Sequence, residues 1–210
     1  MVMNQIGTTS KLLQKNLYMR ADFTPERIEE LSSGEIFVFG SNLNGNHYGG
    51  AARIAYEKFG AEWGVSEGLS GSTYAIPTLD KEMQPVSKTN LFNSFCSFIA
   101  FIKQHPDLTF YLTKIGCGIA GWSVCEVAEI FFDALEHVAE MGKLPSNLIL
   151  PKEFHLYPEI KLCEKEIRIL RRMARKSSDE NERERLHNEI VDKESQLNVL
   201  RDEMGMNNKP

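Results

Sequence analysis

The chain has 210 residues, a formal net charge of -5, 42% hydrophobic residues and 25% charged residues. That length suits one domain of ordinary size with an appendage, and the balance permits a sizeable core. The negative balance speaks against a protein whose main task is neutralising nucleic-acid phosphates, and no apolar run approaches the ~20 residues needed to span a bilayer.

Residues 1–22 are polar and unpatterned, without the apolar core or small-residue cleavage site of a signal peptide, and are expected to form a loose leader. The four cysteines, Cys96, Cys117, Cys125 and Cys163, contain no CxxC pair and have no histidine at zinc-finger spacing. Reduced, mostly buried thiols in a cytoplasmic protein are the expectation. Thr24-Pro25, followed by Glu26, Ile28 and Leu31, predicts a short helix with Thr24 as N-cap, ending near Ser32-Ser33-Gly34.

Four apolar runs then read as buried strands: Ile36 to Phe39, Tyr74 to Ile76, Thr109 to Ile115, and Asn147 to Leu150. Helical stretches lie between them. They run from Ala51 to Phe59, from Asn90 to Gln104 and from Val124 to Met141. Ser123 with Glu126 forms a capping box at the start of the third, and Gly142 stands where a C-cap glycine belongs. Strand alternating with helix predicts an α/β fold with a largely parallel sheet.

The composition shifts after Pro158. From Glu159 to Met204 there is no glycine or proline, and apolar residues recur every three or four positions, as in Ile160, Cys163, Ile167 and Leu170. A helical hairpin or coiled coil is expected over 159–204, with a second capping box at Ser177 and Glu180 and a disordered end over 205–210. The bland reading of this tail is a packing or dimerisation arm with a solvated charged face.

Candidate chemistry lies where strands end, because open α/β sheets bind ligands beyond their carboxyl edges. After the first strand comes Gly40-Ser41-Asn42, then His47-Tyr48-Gly49-Gly50-Ala51-Ala52, leading into a helix. After the third comes Lys114-Ile115-Gly116-Cys117-Gly118-Ile119-Ala120-Gly121-Trp122, leading into another. Glycine turns allow close backbone approach, and helix starts present unpaired N–H groups to an anion. Two such loops predict a site for a diphosphate, although neither is a P-loop or a dinucleotide fingerprint.

Asn42 with Gly49-Gly50-Ala51-Ala52 resembles the first loop of macrodomains, and Ile115 to Trp122 resembles their second, diphosphate-wrapping loop. The similarity covers roughly Gly34 to Pro151. It points to the divergent macro-like proteins of bacteria and phages, where segments like Gly60-Ala61-Glu62-Trp63-Gly64 and Tyr74-Ala75-Ile76-Pro77-Thr78 recur. The resemblance implies a three-layer α/β/α sandwich, recognition of ADP-ribose, and no obligatory cofactor or metal. It leaves hydrolysis of an ADP-ribosyl bond open.

Adenine would then be read by an acid near the first strand, for which Glu35 is the candidate. The tandem-glutamate motif of poly(ADP-ribose) glycohydrolases does not follow Gly49-Gly50, so binding is expected ahead of any particular catalysis. Asn42 would orient the distal ribose, His47 or Glu67 would serve as acid or base, and Tyr48 or Trp122 would stack on a ring. Each has a plainer reading: a loop cap, a surface histidine, a loop acid and core aromatics. Lys114 reads as a phosphate partner or as a solvated lysine, and Cys117 as a small filler of its loop. Two rivals remain. One is a non-catalytic nucleotide-sensing module that assembles through its helical tail, with homo-oligomers through 159–204. The other is a different nucleotide enzyme acting on nucleosides or NAD.

Overall fold

The computed structural model describes residues 23–139 and 142–206. The expected leader therefore lies outside the described residues, as does most of the expected disordered end. The described chain divides into two compact units, residues up to Lys152 and residues from Glu153 on.

The first unit is built on a five-stranded mixed sheet in the order β2-β3-β1-β4-β5. Its strands are β1 (Glu35–Asn42), β2 (Gly68–Ser70), β3 (Thr73–Leu79), β4 (Thr109–Leu112) and β5 (Leu148–Ile149). β1 pairs in parallel with both β3 and β4, and β4 in parallel with β5. Only β2, at the edge, runs antiparallel to its neighbour. No periodicity marks this three-residue strand, whose Leu69 is exposed. Its place comes from the backbone ladder that pairs Gly68 with Ala75 and Ser70 with Thr73.

Successive side chains of β1 face opposite sides. Phe37 and Phe39 pack with Ala52, Ala55 and Phe59 of α1 (Gly50–Phe59), joined by Ala75 from β3. On the other side Tyr74 and Phe110 meet Phe98 of α2 (Lys88–Gln104). Phe95 of α2 in turn meets Phe131 of α3 (Val124–Val138) edge to face. Helices thus cover both sides of the central strands. Each of Phe95, Phe98, Phe110 and Phe131 is fully buried, and such burial stabilises by roughly 1.5–3 kcal/mol per side chain.

Several local expectations are corrected. No helix forms over 25–31. The Thr24 hydroxyl donates to Ile149 O (3.0 Å) and the Thr24 N–H to Leu150 O (2.9 Å), so Thr24 anchors the end of β5. Ile28 and Leu31 pack against the Phe37–Phe59 cluster. β4 stops at Leu112, because the Ile115 N–H turns back to Thr113 O. The Ser123–Glu126 capping box is present, but α3 ends at Val138 with Ala139 as C-cap. Gly142, with φ 62°, lies beyond that cap.

The second unit contains α4 (Lys152–Lys176) and α5 (Glu180–Glu203). α4 runs unbroken through Pro158, starting earlier than the composition shift suggests. Arg201 pairs with Glu164, Arg171 with Glu194, and Lys193 with Glu166. Glu164 meets Arg201, whereas Arg171, farther along α4, meets Glu194, farther back on α5, and only three residues join the helices, so they are antiparallel. Cys163, Ile167, Leu170, Leu186, Ile190 and Leu197 of their apolar stripes are buried. Asp179 caps α5 by accepting from Asn181 N, and Ser177 bonds Glu182 instead, so the predicted Ser177–Glu180 box does not form. No described helix is long and apolar enough to cross a membrane.

Candidate functional site

A cleft of about 400 Å³ opens at the carboxyl ends of β1, β3 and β4. Gly40 eases the convergence. A Cβ there would lie 3.2 Å from Thr78 Oγ1 and 3.3 Å from Gly116 N, tight contacts that a side chain would relieve only by pushing these neighbours back a few tenths of an ångström. A register shift follows at Ser41/Asn42, a bulge that re-aims the end of β1.

One wall is the start of α1. Gly49 is its N-cap and supplies no side-chain bond, and Gly50 has φ 58°. The N–H groups of Gly50, Ala51 and Ala52 belong to the first helical turn, which has no intrahelical acceptors. The opposite wall is the loop after β4. Gly116 and Gly121 both have φ 72°, and the loop closes on itself through Trp122 N to Gly116 O and Gly121 N to Gly118 O, each 3.0 Å. Among the described residues, the amides of Gly118, Ile119 and Ala120 meet no backbone acceptor, and all three residues line the cleft. Two sets of uncommitted amides therefore flank one cavity, one of them at the positive end of a helix.

Ten of the predicted ligand residues line this cleft: Gly40, Ser41, Asn42, Gly49, Gly50, Ala51, Gly116, Gly118, Ile119 and Ala120. Cys117, Gly121 and Trp122 do not. The Trp122 ring packs beneath the loop, its Cδ1 3.0 Å from where a Gly116 Cβ would stand, and its Nε1 is buried without a hydrogen-bond partner. Asn42 is spent on its own loop. Its Oδ1 accepts from Asn44 N and Asn46 N, and its Nδ2 donates to Asn46 O (2.6 Å).

The acid/base candidates lie outside the cleft lining. His47 is 2% exposed, with Nε2 3.0 Å from Glu62 O and its ring against Phe39 and Trp63. Its aromatic neighbours Phe39, Tyr56 and Trp63 come from β1, from α1 and from the segment after α1, so burial in a cluster explains it better than catalysis. Its Nδ1 has no hydrogen-bond partner. Glu67 is exposed beside the edge strand β2. Glu35 sits at the amino end of β1, opposite the cleft, where it accepts from Tyr111 OH (2.8 Å) and Ser32 N (2.7 Å). It is not placed to read a base bound at the cleft.

Other residues complete the lining. Thr78 and Thr113 are held by bonds to Ser41 O and Val38 O. Lys114 is the cation among the described lining residues, and its Nζ lies 2.8 Å from Glu26 Oε1. That ammonium, through its hydrogen bond and charge, holds the Glu26 carboxyl below the usual carboxylate range. Tyr48 and Ile119 stand at the mouth, 74% and 76% exposed, beside Met83. Met83 has φ 61°, a conformation that an L side chain adopts at some cost, and no sequence pattern announces it. It sits in a turn tied by Asp80 Oδ1, which accepts from Glu82 N and Gln84 N.

Comparison with family models, with curated proteins and with solved structures finds no match to this chain.

Proposed function

We propose that the first unit binds a diphosphate-bearing nucleotide, ADP-ribose or a relative, in the cleft between the start of α1 and the loop after β4. One observation carries the reading: two sets of residues with uncommitted backbone amides, at the ends of adjacent parallel strands, line the same cavity. A diphosphate supplies acceptors for both walls at once, and the cavity size falls within the usual range for small-molecule sites. The macrodomain-like motifs fall on these same two walls, and helices on both sides of the sheet suit a macrodomain-like sandwich. The antiparallel α4–α5 pair is then a coiled-coil-like appendage.

Binding is favoured over hydrolysis. The described lining contains neither a carboxylate nor an imidazole to activate water, since His47 and Glu67 lie elsewhere. The rival in which the α/β unit senses a nucleotide and the helical tail assembles, without catalysis, shares this feature. The apolar stripe of the tail, however, is already buried.

Calorimetry on the full chain with ADP-ribose, NAD and AMP tests the proposal. Micromolar binding selective for ADP-ribose is expected. Preference for AMP or NAD would replace ADP-ribose as the ligand, and no binding to any of the three would overturn the reading.

A further inference from the structure

The net charge of -5 hides a local reversal on α4. Between Ile167 and Lys176 there is no acidic residue and there are five cations. Lys165, Arg168, Arg172, Arg175 and Lys176 are all exposed and form no ion pair among the described residues, whereas Arg171 is drawn aside to Glu194. At 100° per residue these five fall within roughly one-third of the helix circumference, opposite the buried Cys163, Ile167 and Leu170. Arg168, Arg172, Arg175 and Lys176, together with Arg171, also line a shallow hollow of about 330 Å³.

We infer that this face of α4 is a docking surface for the phosphate backbone of a nucleic acid. The row from Lys165 to Lys176 extends about 16 Å at 1.5 Å per residue, an axial length over which one strand of a duplex carries about five phosphates. Arginine forks match phosphate oxygens in pairs, and a regular row suits a regularly charged polymer. Favourable placement at a helix C-terminus accounts for Arg175 and Lys176 alone, since that effect fades within the last turn. Of the three acids at the hairpin turn two are engaged locally, Asp179 capping α5 and Glu182 bonding Ser177, which leaves Glu180 as the one exposed countercharge there against five cations. A lipid surface fits less well, because helices that lie on bilayers bury a broad apolar face there, and outside its covered stripe α4 exposes only Ile169 and Met173 as large apolar side chains among the described residues.

The test uses the full chain with fluorescein-labelled 20-base-pair DNA and 20-nucleotide RNA, read by anisotropy from low to moderate salt. Binding to either is expected, with a log–log salt slope of about -3 to -5. The triple variant Arg168→Gln/Arg172→Gln/Arg175→Gln should lose at least about tenfold in affinity and about two to three units of slope. Arg172→Gln alone, a smaller perturbation should the triple variant fold poorly, should lose about one unit. Circular dichroism checks that each variant keeps its helical content. Absence of binding at low salt would overturn the inference, as would unchanged slope and affinity in folded variants. So would binding to vesicles rich in phosphatidylserine in place of either nucleic acid.

Discussion

Lys114 Nζ and Glu26 Oε1 lie 2.8 Å apart, so the cation lining the cleft is tied to a carboxylate 88 residues earlier in the chain. Glu26 is fully exposed and its pKa is lowered by Lys114. The sign follows from linkage. The pair is fully formed above the ordinary carboxylate range and is lost only as pH falls through the lowered value. At neutral pH an anionic ligand therefore competes with Glu26 for Lys114. Glu26→Gln should raise ADP-ribose affinity by about two- to fivefold at low salt, with the gain fading as salt is added. Calorimetry at two salt concentrations would measure it; a lower affinity in Glu26→Gln would mean that Lys114 needs this carboxylate to hold it in place.

The glycines separate cleft from scaffold. A Cβ on Gly118 meets nothing within 4 Å, and its backbone needs no positive φ. Gly118→Leu should therefore leave the melting temperature within a few degrees of the parent while obstructing the cleft and weakening ADP-ribose binding at least about tenfold. Gly45 is the opposite case. Its φ is 67°, and a Cβ would stand 2.3 Å from the Gly64 carbonyl carbon, where two backbones cross. Gly45→Ala should cost more than the roughly 1–2 kcal/mol of left-handed strain alone, and denaturant unfolding would report it. Equal stability of the two variants would contradict this division.

His47 is argued to be structural. Removing its ring leaves a cavity against Phe39 and Trp63 and frees Glu62 O from its contact. His47→Ala should lose about 2–4 kcal/mol of stability. Measured where both proteins are folded, ADP-ribose affinity should stay near that of the parent. A variant with unchanged stability but abolished binding or turnover would return His47 to the site.

Much of this was legible locally. The runs at Ile36, Tyr74 and Thr109, and the helices between them, declare themselves through hydrophobic pattern and caps that need no distant partner. Both glycine loops are likewise short, contiguous segments, so the two walls of the cleft could be read from adjacent residues. Features made by distant residues could not. The bond from Thr24 to Ile149 spans 125 positions and replaces the helix that Thr24-Pro25 suggests. His47 looks like a loop histidine until Phe39, Tyr56 and Trp63 are brought around it. Nothing local told that Glu26 would reach Lys114, or that Glu35 would face away from the cleft.

Tyr74 gives a prediction at the alkaline end. It lies on β3 between Phe98 and Phe101, and burial, aided by the charge of Glu67, pushes its phenol up to about 12. An unfolded tyrosine ionises near pH 10. The folded state thus holds the proton more tightly, and the contribution is fully present below about pH 10 and is lost as pH rises towards 12. Urea unfolding between pH 9 and pH 11 should show stability declining through this window. Tyr74→Phe, which keeps the ring and removes the ionisable group, should flatten the part of the decline due to this residue. An equally steep decline in Tyr74→Phe would assign it to other groups and show that the Tyr74 phenol is not what burial holds protonated.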